Sequence, residues 1–254
     1  MSEQFTLSLA ISTSRQVPTI TVSTADLAGD APRVIVLHGL SSRKEHYLEE
    51  LLELARRGFV ATAIDLPLHG AREGSEMLPS LLADDYLPTI QKIIYDTVSD
   101  ITALLDLWEI SSNTVGVYAI SAGGLAAHAA AIVEPRIGAI AAIITSPDWL
   151  TADPQLRPAP GSPVESLLAS LSPVNSPALY APKALLMLIG EQDDVLSPDG
   201  SELLYQRLLP LYKNLGIAER LSLKVFPGVA HNYTPEMRQS ALSWLSKNLI
   251  KDTL

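Results

Sequence analysis

Cysteine is absent from the 254 residues. That removes disulfide frameworks, thiolate zinc sites and thiol nucleophiles together. Basic residues are scarce too, with 18 Lys+Arg against 28 Asp+Glu and a net charge of −10. Nucleic acid and anionic membrane both need a positive face, so neither is expected as a partner. Aromatic residues make up only 6% of the chain. No apolar run approaches the roughly 18 residues of a membrane span. The opening "MSEQFTLSLAISTSRQ" lacks a basic segment followed by an apolar one, so it does not read as a signal peptide. The expectation is a soluble, cytoplasmic protein.

Metal and nucleotide motifs are missing as well. The five histidines include no H-x-x-x-H or H-E-x-x-H spacing, and there is no Walker loop or G-x-G-x-x-G. No metal and no organic cofactor is expected.

What the chain does have is an alternation of buried strands and helices. "FTLSLAIS" and "VPTITVST" alternate with period two and predict an antiparallel pair at one edge. "RVIVLHG", "FVATAID", "VGVYAI", "IGAIAAIITS", "KALLMLIG" and "LSLKVFPG" are short strand-like runs, mostly apolar throughout. Helical patterns separate them. One starts near Ser42, where Ser42 and Glu45 form an S-x-x-E capping box and Leu48, Leu51, Leu52 and Ala55 recur at helical spacing. A long one is predicted over Asp84–Trp108, another over Pro198–Leu215 with Ser197 as cap, and a last over Thr234–Asn248. This order predicts an α/β fold: a mostly parallel sheet of about eight strands with helices on both faces. The whole of 1–254 reads as one domain with a short, proline-rich cap insertion at about 149–182. Its Trp149, Leu150, Leu156, Val164, Leu167 and Leu168 fit either an apolar acyl or alcohol pocket or plain packing of the cap.

The chemistry concentrates at strand ends. "AISAG" places Ser121 between a buried strand and a small-residue helix, with Ala119 where the nucleophile elbow G-x-S-x-G has its first glycine. Small residues at these positions relieve the crowding of a strained turn. The strand "ALLMLIG" leads to Asp193 and Asp194, and the strand "LSLKVFPG" leads to His231. Serine becomes a nucleophile only when an imidazole takes its proton, and the imidazole needs a carboxylate to hold its tautomer. Ser121, one of the two aspartates, and His231 supply those types in that chain order, with Asp148 as a weaker candidate acid. The loop after "VIVLHG" can lay the Leu40 N–H beside that of Ala122 as an oxyanion hole, Gly39 permitting close approach. His38 reads as a loop-shaping residue, with catalysis its second reading; His69 and His46 also read as loop-shaping, with direct substrate contact the second reading for these two. Asp65 reads as a tie for the loop after its strand, and His128 as a packed or surface histidine.

Together "VLHGL", "DLPLHG", "AISAGG", "GEQDDVLSP" and "FPGVAHNYTPEM" resemble the α/β-hydrolase fold. More narrowly they are similar to small bacterial esterases of the dienelactone-hydrolase and prolyl-oligopeptidase-like branch. The resemblance spans about Val34 to Ala241. It implies Ser121 as nucleophile, His231 as base and Asp193 as acid, the acid standing three residues after Gly190. It also implies oxyanion N–H groups from Leu40 and Ala122. Dienelactone hydrolases proper use a cysteine nucleophile, which this chain lacks, so that specific activity is not expected. The expected function is a serine hydrolase of small-molecule carboxylic esters. The alternatives are thioester, lactone or small-peptide hydrolysis, or a non-catalytic ligand-binding member of the fold.

Overall fold

A computed structural model describes residues 7–14, 16–24, 31–149, 160–162, 165–166 and 171–250. The two period-two segments form β1 (Leu7–Ser14) and β2 (Val17–Thr24), an antiparallel pair running from Leu7↔Thr24 to Ser14↔Val17. β2 then pairs antiparallel with β4 (Val60–Ile64). The remaining strands run parallel: β3 (Arg33–Leu37), β5 (Val115–Ile120), β6 (Ile137–Ile143), β7 (Ala184–Gly190) and β8 (Leu221–Phe226). The eight-stranded order is β1-β2-β4-β3-β5-β6-β7-β8. This is the mixed sheet that the alternation predicts.

The central strands are apolar throughout because helices cover both of their faces. Every residue of β5, β6 and β7 is buried. One face carries α1 (Leu48–Arg56) and the C-terminal α6 (Pro235–Leu249), which pack Leu51, Leu54, Leu242 and Leu245 on it. The other face is covered by α2 (Leu78–Asp84), α3 (Tyr86–Leu107), α4 (Ala122–Val133) and α5 (Asp199–Asn214). α4 is lined with alanine, so it lies close against the sheet and ten of its residues are buried.

Three helix starts differ from expectation. The pattern over Asp84–Trp108 divides into α2 and α3 because Asp85 leaves helical geometry at φ −140 and ψ 61. Pro88 has no N–H and must occupy the first turn of a new helix. α1 begins at Leu48, after a 3-10 turn over Lys44–Tyr47, and Ser42 does not cap it. α5 starts one residue beyond the expected Pro198. At α6 Thr234 is the cap, accepting the Met237 N–H at 3.3 Å.

Parts of the expected cap insertion, including Leu150, Leu156, Val164, Leu167 and Leu168, lie outside the described residues. Trp149 is described. It is 3% exposed and joins the core, with its ring edge-on to Tyr95 at 6.4 Å.

Candidate active site

β5 delivers Ser121 to the C-terminal edge of the sheet, where α4 begins. Ser121 has φ 53 and ψ −118, a strained backbone for a non-glycine residue. The turn is possible because its neighbours are small. A Cβ on Gly123 would lie 2.6 Å from the His38 carbonyl oxygen, and one on Gly124 would lie 2.4 Å from Thr145 Cγ2. The Ser121 N–H donates to Ile143 O at 2.9 Å and Thr145 Oγ1 donates to Ser121 O at 2.9 Å, holding the turn from both sides. Ala119, two residues upstream, is buried between Leu37 and Ala142 with its methyl accommodated.

Two loops converge on this serine. After β7, Asp193 turns inward because its Oδ1 accepts the Val195 and Leu196 N–H groups at 3.1 and 2.9 Å. After β8, His231 extends its ring between Asp193 and Ser121. Its Nδ1 lies 2.8 Å from Asp193 Oδ2, and its Nε2 lies 2.9 Å from Ser121 Oγ. Gly190 lets these loops meet, since a Cβ there would lie 2.4 Å from Val229 O and 2.5 Å from Ala230 O. Asp193 is 6% exposed, whereas Asp194 points to solvent. Asp148, the weaker candidate acid, is placed elsewhere, with Ser172 Oγ 3.5 Å from its Oδ1.

The third loop follows β3. Among the described residues the N–H groups of Leu40 and Ala122 have no hydrogen-bond partner, and both residues line the cavity that holds Ser121 and His231. The cavity measures about 350 Å³, and Tyr86, Ile90, Leu125, Val195 and Leu196 give it an apolar wall.

Behind that loop lies a network whose roles the sequence indicated only in outline. His38 Nε2 accepts the Leu66 N–H at 3.0 Å, and its Nδ1 lies 2.8 Å from Gly39 O. Burial lowers the His38 pKa to about 4, so the ring is neutral at pH 7. Asp65 is fully buried and accepts the Lys44 N–H at 2.9 Å, Lys44 Nζ at 2.7 Å and the Ala71 N–H at 2.8 Å. Burial alone would raise its pKa. The bonds from Lys44 and Ala71 outweigh that and hold it below the usual carboxylate range. His46 is exposed and contacts Ser42 Oγ at 3.1 Å. His128 is fully buried in α4 with its Nδ1 2.9 Å from Tyr180 Oη.

A feature missed from sequence lies under the histidine loop. Tyr233, two residues beyond His231, shares a very short hydroxyl contact with Tyr118 of β5 and donates to Glu50 Oε1 of α1 at 2.9 Å. The partners are more than a hundred residues apart in the chain, so no local pattern announces them.

A mixed eight-stranded sheet in this order, with a strained serine where the central strand gives way to its helix, defines the alpha/beta-hydrolase class. The model of the alpha/beta hydrolase family matches residues 34–210, and the chain belongs to that family. YitV of Bacillus subtilis (strain 168), provisionally named an esterase, is 30% identical over 123 residues. That match covers 47% of this chain and 46% of YitV, so the similarity reaches about half the length of the curated relative. TT1662 from Thermus thermophilus superposes with a TM-score of 0.73 at 24% identity, covering 96% of this chain and 98% of that one. A cold-adapted esterase from an Arctic intertidal metagenomic library gives 0.65 at 18% identity, covering 98% and 97%. At these identities the structural likeness is one of fold. Among the described residues no helix is long and apolar enough to cross a membrane.

Proposed function

We propose that this protein is a serine hydrolase of carboxylic esters, with Ser121 as nucleophile, His231 as general base and acid, and Asp193 as the carboxylate that orients the imidazole. The observation that carries the reading is the continuous relay from Asp193 Oδ2 through the His231 ring to Ser121 Oγ, with contacts of 2.8 and 2.9 Å. Ser121 Oγ attacks the ester carbonyl carbon while His231 Nε2 takes its proton. The carbonyl oxygen becomes an oxyanion facing the Leu40 and Ala122 N–H groups, aided by the amino-terminal end of α4. As the C–O bond breaks, His231 returns the proton to the leaving alcohol, and Ser121 keeps the acyl group. Water, deprotonated by the same imidazole, then releases the carboxylic acid.

The cavity's apolar wall and volume of about 350 Å³ suit compact acyl or alcohol groups, toward the small end of ligand pockets. A small-molecule ester met in the cytoplasm fits a cysteine-free chain of net charge −10. The test is turnover of p-nitrophenyl esters of increasing acyl length, with a thioester and a lactone beside them. The short esters are expected to give the highest kcat/KM, and Ser121→Ala is expected to lower it by a factor on the order of 10⁴ or more. Ester turnover that survives in Ser121→Ala would overturn the assignment. An inert wild-type protein would favour a ligand-binding role.

A further inference from the structure

We propose that His69 is a positioning residue for the oxyanion loop: as a hydrogen-bond acceptor it holds Ser41, and through it the Leu40 N–H, in place. The inference rests on the reading of Ser121 as nucleophile and of Leu40 as an oxyanion donor.

Leu40 stands between two cross-loop anchors. On one side His38 Nε2 accepts the Leu66 N–H at 3.0 Å, and on the other the Ser41 N–H donates to His69 Nε2 at 3.0 Å. Lys44, further along, is tied to Asp65 through its own N–H at 2.9 Å. The segment after β3 is thus pinned to the segment after β4. Ser41 needs that restraint, because its φ of 58 is in the left-handed region, which a serine adopts at a cost. The opposing loop is built to present His69, with Leu68 at φ 64 and Gly70 at φ 55 on either side of it. A side chain at Gly70 would collide with Asp65, whose Oδ1 lies 2.2 Å from the ideal Cβ position.

The protonation pattern of His69 follows from its partners. Its Nδ1 lies 2.8 Å from Pro67 O, a carbonyl that can only accept, so Nδ1 carries the hydrogen. Nε2 is left with its lone pair toward the Ser41 N–H. The ring is 2% exposed, and burial pushes its pKa down, consistent with the neutral form. Without this acceptor a strained residue loses its tether one position after an oxyanion donor. The damage falls on the transition state, where charge develops on the oxygen, while the apolar wall of the cavity comes from other elements.

The test compares two substitutions of similar size. His69→Leu removes the acceptor and is expected to lower kcat on p-nitrophenyl acetate about tenfold or more, with KM within about twofold. His69→Gln offers an amide oxygen at the reach of Nε2 and is expected to recover most of that loss. Equal losses in both variants, or a loss confined to KM, would overturn the proposal in favour of simple packing. If the variants do not fold, the wild type still decides. Long-range proton–nitrogen correlation of the His69 ring is expected to show the Nδ1–H tautomer at neutral pH, and an Nε2–H or charged ring would contradict it. Absence of ester turnover in the wild type would instead remove the esterase reading, which the tautomer measurement does not touch.

Discussion

At the scale of single residues, the choice between Asp193 and Asp194 illustrates what a sequence leaves open. Both follow the same strand, and either could face a histidine from the next loop. The Val195 and Leu196 N–H groups capture the Asp193 carboxylate and turn it inward, leaving Asp194 in water, which supports Asp193 as the proposed acid. Asp193→Asn is therefore expected to lower kcat by a factor on the order of 10⁴, because the imidazole loses the partner that fixes its tautomer. Asp194→Asn is expected to stay within about twofold of wild type, as surface changes usually do. Steady-state kinetics on one ester reads both, and the reverse ranking would make Asp194 the acid. Ser121 and His231 were legible as candidates because each stands alone at a strand end. For His69 only a loop-shaping role was legible; its partner Ser41 was not, since the contact crosses 28 residues and depends on two loops meeting.

At the scale of elements, local signals held where nothing competed with them. Thr234 caps α6 as its Thr-Pro start predicts. The S-x-x-E pattern at Ser42 failed because other nearby groups claimed its partners. The Ser42 N–H donates to Gly39 O, its hydroxyl faces His46, and Glu45 pairs with Lys44 Nζ at 2.7 Å. A capping box contributes on the order of 1 kcal/mol, less than leaving the buried Asp65 without its lysine would cost. The elbow shows the same precedence of packing over pattern. Ala119 replaces a glycine without visible strain, while Gly123 has no room at all, its Cβ position being 2.6 Å from His38 O and 2.8 Å from Leu37 backbone. Gly123→Ala must push α4 away from β3 and is expected to cost roughly 1–3 kcal/mol. A urea unfolding curve with an unchanged midpoint would show that the elbow has slack.

At the scale of the whole molecule, the composition and alternation of elements carried the fold, because a doubly covered parallel sheet leaves a distinctive string of apolar strands. What composition could not announce is how the fold responds to acid. His38 and His128 are buried and neutral, with pKa values lowered to about 4 and about 3 by desolvation. In the unfolded chain each titrates near 6.5. Between those values the unfolded state binds more protons, so stability falls as pH drops from about 6.5 toward 4. Each such group contributes a slope of up to about 1.4 kcal/mol per pH unit across its window. Asp65, held below its ordinary range, adds to the loss at lower pH. His128→Gln is expected to flatten the curve of unfolding free energy against pH by about one proton between pH 6 and 4. An unchanged slope in that variant would mean that His128 is not neutral and buried in solution.

All three scales meet in the claim that Ser121 is the nucleophile raised toward His231. The most direct measurement is mass spectrometry after exposure to a serine-reactive phosphonate ester. The account predicts one phosphonyl group per chain, located on Ser121 and lost in both Ser121→Ala and His231→Ala. Labelling at another residue, or an unmodified wild-type protein, would contradict it.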